Sequence, residues 1–217
     1  CQAFHPGYGF LAENPALPEA CAAKGIIFIG PDAASMALLG NKTEARKVME
    51  NAGIPIIPGV KEPLKSEDEA LAAAAETEYP ILLKAAAGGG GKGVRVVHSK
   101  DELPSAFKRA GAEALSAFGN PDIYLEKYLI EPRHVEMQIL ADNYGNVIHL
   151  NERECSVQRR YQKLVEESPC CILDEAMRNR MGKAAIAAVK ASGYTNAGTV
   201  EFLIDTTGNF YFLEVNT

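Results

Sequence analysis

The stretch from Pro80 to Val97 limits the possible folds most: Pro-Ile-Leu-Leu-Lys84-Ala-Ala-Ala-Gly-Gly-Gly-Gly-Lys92-Gly-Val-Arg-Val-Val. A short apolar run ends in Lys84. Four glycines follow, Gly88, Gly89, Gly90 and Gly91, then Lys92, Gly93 and a second β-branched run. Four consecutive glycines cost conformational entropy, so a chain that orders them gains something from bare backbone. The usual gain is close approach of N–H groups to an anion whose charge nearby lysines neutralise. Gly88-x-Gly90-x-x-Gly93 fits the dinucleotide fingerprint by spacing, but that fingerprint opens a helix and Val94 to Val97 reads as a strand. A P-loop fails as well, because Gly93 stands where Ser or Thr is required and Ala86 where glycine is required. What remains is strand, glycine loop, strand: a hairpin flap over a nucleotide's phosphates. A glycine run without a ligand is ordinarily a mobile linker. The lysines at both ends of this one favour the flap.

With 217 residues the chain can hold one large domain or two small ones. No apolar run approaches the roughly 20 residues that span a bilayer, so no membrane partner is expected. A net charge of -6 excludes the basic surface that nucleic acid requires. Any phosphate site is therefore a local basic patch in an acidic protein. The five cysteines, Cys1, Cys21, Cys155, Cys170 and Cys171, are odd in number and lack C-x-x-C spacing. That argues against a disulfide framework or a zinc site and predicts a reducing compartment. The chain opens at Cys1-Gln-Ala-Phe and stops at Thr217 directly after a polar cluster, and both ends read as cut.

Along the chain, a glycine-rich turn from His5 to Asn14 leads into a helix near Pro15 to Lys24, and Ile26 to Ile29 reads as a buried strand. This strand–helix–strand order predicts that residues 1–40 end a parallel α/β domain. Asp32 caps a helix to Leu39, and residues 41–55 form a helical linker with Ala45, Val48, Met49 and Ala52 on one face. Residues 56–128 read as a small α+β lobe bearing the flap. Its helices are announced by two capping boxes, Ser66-x-x-Glu69 and Ser99-x-x-Glu102. Residues 129–217 read as a larger, truncated antiparallel sheet, with strands at 133–141, 147–157, 198–205 and 209–215 and an amphipathic helix over 175–192.

The last hairpin asks for a cation. With Thr207-Gly208 at its centre, Glu201 faces Glu214, and directly opposed carboxylates repel. Asn216 lies on the same face two residues on. Two carboxylates and an amide oxygen are hard ligands of the kind magnesium takes beside phosphate. A one-residue slip of register would instead leave Glu201 solvated. Gln158, Arg159, Arg160 and Lys163 add a basic cluster, which an acidic chain would ordinarily just solvate. Here it continues the strand pairing with His134 and turns its cations toward the phosphate site.

His5-Pro-Gly-Tyr-Gly-Phe-Leu-x-Glu-Asn14, Lys84 with the Gly88 to Gly93 loop, Glu126-Lys-Tyr-Leu129, Pro132-Arg-His134, Glu152-Arg-x-Cys-Ser-x-Gln-Arg-Arg160 and Glu214-Val-Asn-Thr217 carry a family likeness over essentially the whole chain. Together they resemble the biotin carboxylase component of biotin-dependent carboxylases such as acetyl-CoA, propionyl-CoA or pyruvate carboxylase, members of the ATP-grasp superfamily. The resemblance implies an α+β ATP-grasp fold preceded by the end of a pre-ATP-grasp domain. It implies an ATP-dependent ligase that carboxylates biotin through carboxyphosphate, with ATP, Mg2+ or Mn2+ and carrier-bound biotin as cofactors. Lys42 and Lys84 would contact ATP phosphates beneath Gly88 to Gly91. Glu126, Lys127 and Leu129 would hold adenine, partly through backbone. His134 and Gln158 would also touch the nucleotide. Lys163, with Gln158 and Arg159, would act at the phosphate passed to bicarbonate, and Glu201, Glu214 and Asn216 would hold the metal. Tyr8 and Gly9 would border the biotin pocket.

The implied partners are a biotin carboxyl carrier domain, a carboxyltransferase, bicarbonate and a second copy of the chain. The implied place is the cytoplasm of a bacterium or the mitochondrion or plastid of a eukaryote. Tyr161 departs from the family, in which histidine is frequent there. The family also continues past Asn-Thr with an arginine and a glutamate that act on bicarbonate and a later arginine that steadies biotin, so a piece ending at Thr217 is expected to be inactive alone. Another ATP-grasp ligase, such as a carbamoyl-phosphate synthetase, and a non-catalytic ATP-binding module are the alternatives.

Overall fold

The computed structural model describes residues 1–7, 9, 11–86, 94–159 and 162–216. The chain divides into two compact units: Cys1–Ile56 with Pro132–Val157 and Lys163–Thr217, and Ile57–Glu131 with Gln158–Gln162.

The first unit begins with β1 (Ala3–Phe4), α1 (Ala16–Ala23) and β2 (Ile27–Phe28), the two strands pairing in parallel. Ile27 is exposed rather than buried as its apolar run predicts. A two-stranded sheet with one helix covers a single face. Asp32 caps α2 (Ala33–Gly40) by accepting from the Ser35 N–H. Asn41 ends that helix and caps α3 (Lys42–Asn51), its side chain accepting from the N–H groups of Thr43 and Glu44. Lys42 is thereby fixed as the first helical residue. Ala45 and Met49 turn inward, whereas Ala52 lies at the exposed C-cap.

The second unit packs α4 (Glu67–Thr77) and α5 (Leu103–Phe118) with a sheet of β3 (Ile81–Ala85), β4 (Val94–Val97) and β5 (Ile123–Lys127), in the order β4-β3-β5. Ala70, Ala74, Ala106, Ala110 and Ala114 meet Ile81, Leu83, Val97, Ile123 and Leu125 in its core. β3 and β4 are antiparallel, with Lys84 opposite Val94, so the strands of the expected hairpin flap are present. Gly88 to Gly91, Lys92 and Gly93 lie outside the described residues. Ser66 caps α4 through the Glu69 N–H, but the Glu69 carboxylate accepts from Lys65 N–H rather than from Ser66. The second capping box is corrected. α5 starts at Leu103, three residues later than Ser99 predicts, with proline in its first turn and the Glu102 carboxylate accepting from His98 N–H. Proline at a helix start suits the missing donor there.

The first unit resumes with β6 (Arg133–Ala141), β7 (Val147–Arg159), β8 (Gln162–Glu167), α6 (Glu175–Ser192), β9 (Asn196–Ile204) and β10 (Phe210–Asn216). The five strands lie in the order β10-β9-β6-β7-β8. Val135, Met137, Ile139, Val200, Phe202 and Phe212 pack with Met181, Ala185, Ala188 and Val189 of α6 and with Met49 of α3. The β6–β7 and β9–β10 hairpins share an Asp-x-x-Gly-Asn turn. In each, the aspartate, Asp142 or Asp205, accepts from the N–H groups two and four residues on and from the closing asparagine's amide. Gly145 and Gly208 take φ of +88° and +84°, the region glycine enters freely. Within the described residues β8 is an element the sequence reading missed, because the basic run was read as prolonging β7. The α+β class expected from the motifs is met.

Candidate functional site

The sheet face opposite α6 concentrates charge. Glu214 on β10 pairs with Glu201 on β9, which pairs with Glu136 on β6, which pairs with Arg153 on β7. Glu201 does face Glu214, but two irregularities achieve it. The turn centres on Thr207, since Ile204 pairs with Phe210, and that register alone would set Leu213 against Glu201. A bulge between Phe212 and Glu214 shifts β10 by one residue and delivers Glu214 instead.

Glu136 and Glu201 are almost fully buried, and cations meet them. Lys163 Nζ lies 2.6 Å from Glu136 Oε2 and also donates to Glu201 Oε1. His134 Nε2 lies 2.6 Å from Glu201 Oε2, and the Asn216 amide donates to Glu201 Oε1. Arg153 covers Glu136 Oε1. Burial pushes the Glu201 carboxyl up, but hydrogen bonds from His134 and Lys163 outweigh it and hold the group below the usual carboxylate range. Burial would lower Lys163, and its bonds to Glu136 and Glu201 reverse that, keeping the ammonium charged.

Glu214 is different. Burial and the charge of Glu201 push its carboxyl up, against weaker pull from Lys42, His134 and Lys163. Among the described residues no hydrogen bond or ion pair ends on it. A half-buried carboxylate opposite another carboxylate, with an amide two residues away, fits a divalent cation with oxygen ligands such as magnesium or manganese. Cys155, whose thiol and one oxygen each of Glu136 and Glu166 lie within 4.8 Å of one another, is a poor soft ligand by contrast. Burial and then Glu136 push that thiol up to about 12. None of the five cysteines is in a disulfide.

Lys42 stands at the head of α3, where a cavity of about 190 Å³ is lined by Glu13, Met36, Lys42, Ala45, Glu214 and Asn216. Gly9 is exposed in the turn before α1, and its carbonyl accepts from Ala12 N–H. Gln158 is half-buried and Arg159 exposed at the end of β7. Tyr8, Arg160 and Tyr161 lie outside the described residues. In the second unit Lys84 is paired with the buried carboxylate of Glu126. The N–H groups of Lys127 and Tyr128 are used by the Pro58 and Pro80 carbonyls, and Lys127 Nζ donates to the Glu78 carbonyl. Leu129 makes no hydrogen bond among the described residues.

Residues 41–217 match the family model described as "Carbamoyl-phosphate synthase L chain, ATP binding domain". The chain belongs to this family. Residues 1–36 match "Biotin carboxylase, N-terminal domain". Among curated relatives, biotin carboxylase of Nostoc sp. is 52% identical over 215 residues, covering 99% of this chain and 48% of the relative. Biotin carboxylase 1 of Bacillus subtilis is 52% identical over 216 residues, again covering 99% of this chain and 48% of the relative. The chain thus spans about half the length of the curated relatives it matches. Among solved structures, the biotin carboxylase–β,γ-ATP complex of Campylobacter jejuni superposes with a TM-score of 0.91 at 51% identity, covering 100% of this chain and 49% of that one. The biotin carboxylase domain dimer of Hydrogenobacter thermophilus 2-oxoglutarate carboxylase, in complex with MgADP, ADP and bicarbonate, gives 0.89 at 49% identity, with 100% and 48% covered. The resemblance to biotin carboxylases carried by the motifs is therefore borne out. No helix among the described residues is long and apolar enough to cross a membrane.

Sequence reasoning named Lys163, His134, Glu201 and Asn216, which the fold joins by hydrogen bonds, and Glu214, which it sets opposite Glu201. It passed over Glu136 and Arg153. The signal was present: Glu136 lies midway between His134 and Gln138 on one face of β6. Only the five-strand order shows that this position is buried beside Glu201 rather than solvated.

Proposed function

We propose that this ATP-grasp protein serves a biotin carboxylase, in which MgATP and bicarbonate give carboxyphosphate and ADP and the CO2 then passes to N1′ of biotin on a carrier. The observation that carries the proposal is the pairing of Glu214 against Glu201, with no partner for Glu214 among the described residues, in a chain whose first 36 residues match a biotin carboxylase domain. The nucleotide, magnesium and bicarbonate in the solved relatives support it.

Phosphoryl transfer needs positioning and charge neutralisation more than covalent chemistry from the protein. In this reading Lys42 and Lys84 neutralise phosphate oxygens, and Gly88 to Gly91 lend their N–H groups. A magnesium or manganese ion held by Glu201, Glu214 and Asn216 would supply further charge neutralisation. Glu126, Lys127 and Leu129 receive the adenine, Leu129 with backbone groups that bond to none of the described residues. His134 keeps Glu201 oriented and, with Gln158, meets the nucleotide. Lys163, and with it Gln158 and Arg159, acts at the phosphoryl group moving to bicarbonate, the lysine through a charge that its bonds to Glu136 and Glu201 maintain. Tyr8 and Gly9 border the biotin. A carrier domain, a carboxyltransferase and a second copy of the chain are the proposed partners.

The test is ATP hydrolysis by the whole protein. Hydrolysis that requires both bicarbonate and free biotin is expected. Stimulation by ammonia instead of biotin would move the assignment to a carbamoyl-phosphate synthetase. Nucleotide binding without turnover, with all functions intact in Glu214→Gln, would reduce the protein to an ATP-binding module.

A further inference from the structure

Among the described residues, Arg153 bonds to none of those assigned above to nucleotide, metal or biotin. Yet it is held firmly on the site face. Its Nε and Nη2 both reach Glu136 Oε1. Nη2 also donates to Gln138 Oε1 at 3.0 Å. Gln138 is fixed in turn, its Nε2 donating to the carbonyls of Gly198 at 3.0 Å and Ile139 at 3.2 Å. Glu166 Oε2 lies 3.7 Å from Arg153 Nε. The guanidinium is thus tied to the backbone of β6 and β9 through one amide.

The consequence falls on Glu136. Its side chain is 4% exposed, and its two oxygens are divided: Oε1 serves Arg153 and Oε2 serves Lys163. Lys163 has one positive charge and faces two buried carboxylates, Glu136 and Glu201. With Arg153 present, Glu136 is balanced by a second cation, and the ammonium can be shared evenly with Glu201. Without it, the uncompensated Glu136 could turn both oxygens to Lys163 and draw the flexible lysine off Glu201. A guanidinium fork suits the task, because it holds one carboxylate oxygen and a neighbouring amide in a fixed plane, which an ammonium cannot.

We propose that Arg153 is a positioning residue for Lys163: acting through Glu136, it fixes where the lysine ammonium stands. This rests on the reading of Lys163 as the cation at the transferred phosphate, and the two can fail separately.

The experiment compares wild type, Arg153→Gln, Arg153→Lys, Glu136→Gln and the double variant Glu136→Gln/Arg153→Gln in the whole protein. Biotin-dependent ATP hydrolysis and crystal structures are the two readouts. In Arg153→Gln a loss of kcat on the order of tenfold or more is expected, with KM for ATP changed less than about twofold, because positioning is lost rather than substrate binding. Arg153→Lys restores the charge but not the fork and should recover only part of the rate. In the Glu136→Gln background the Arg153→Gln change should alter kcat less than about twofold, since residues acting in series are not additive. In the crystal, Lys163 Nζ should leave Glu201 for Glu136 in Arg153→Gln. Full additivity with Glu136→Gln, or a Lys163 that still bridges both carboxylates in Arg153→Gln, would overturn the positioning role. Absence of biotin-dependent turnover in the wild type would overturn the reading of Lys163 alone, and the crystallographic comparison would still decide for or against Arg153.

Discussion

Replacing Glu214 with glutamine is expected to stabilise the metal-free protein while weakening its stabilisation by a divalent cation. Directly opposed residues on a sheet have Cβ atoms about 5 Å apart. Two unit charges at that separation repel by about 3 kcal/mol at an effective dielectric near 20. Lys42, His134 and Lys163 offset part of this at Glu214, leaving a relief on the order of 1–2 kcal/mol. For a chain of about 200 residues each kcal/mol moves Tm by about 2–4 °C, so Glu214→Gln should melt roughly 2–8 °C above wild type in EDTA. Manganese at about 100 times its Kd adds about 2.7 kcal/mol to the wild type. A tenfold weaker site in the variant would halve that to about 1.4 kcal/mol, so the order of the two melting temperatures should narrow or invert. Thermal denaturation of both proteins in EDTA and in manganese reads all four numbers. A variant that melts lower than wild type in EDTA and gains as much from manganese would refute the argument that Glu214 is held for a cation.

Other consequences concern the frame of the site. Arg178 makes a two-pronged pair with the fully buried carboxylate of Glu152 at 2.8–2.9 Å, so Arg178→Met should cost about 3–5 kcal/mol at pH 7 in urea denaturation. Burial pushes Glu152 up, but Arg178 outweighs it and holds the carboxyl below its usual range. The pair's contribution is therefore present above the ordinary carboxylate pKa and lost as pH falls below it, and the gap between wild type and variant should narrow toward pH 4. Asn41→Ala removes the cap that seats Lys42 and should lower stability by about 1 kcal/mol, read as a Tm drop of about 2–4 °C. At Gly198 an added Cβ would lie 2.5 Å from Tyr194 Oη and 2.9 Å from the Asn216 carbonyl oxygen. Gly198→Ala should cost about 1–3 kcal/mol, and Tyr194→Phe in that background should return part of it in the same melt.

Local chemistry was legible in the sequence. Asp32 and Ser66 accept from N–H groups at the helix starts they were expected to cap, because a cap depends on a few adjacent residues, while Asn41 and Asp174 are caps that the structure adds. Helix α6 occupies the span its apolar period predicts, Glu175 to Ser192. Ser99 misled, since Pro104 and the Glu102 contact to His98 set a later start than the capping pattern alone. The opposition of Glu201 and Glu214 was read correctly from a simple hairpin, yet the structure reaches it through a displaced turn and a compensating bulge. A β-bulge has no reliable mark in the residues that make it.

The sequence by itself determined the residue types of the candidate site, the lysine-flanked glycine stretch and the family likeness, because these reside in spacing along the chain. Only the tertiary structure decided that Glu136 and Arg153 belong to that site. Their place depends on strands β6, β7 and β9 lying side by side, residues 136, 153 and 201 apart in sequence yet in one row across the sheet. Likewise β7 bends where Asn151 takes φ of +67° and the β6–β7 register slips, so that Glu152 turns to the α6 side and Arg153 to the charged face. That alternation follows from backbone pairing between distant strands, which no local pattern encodes.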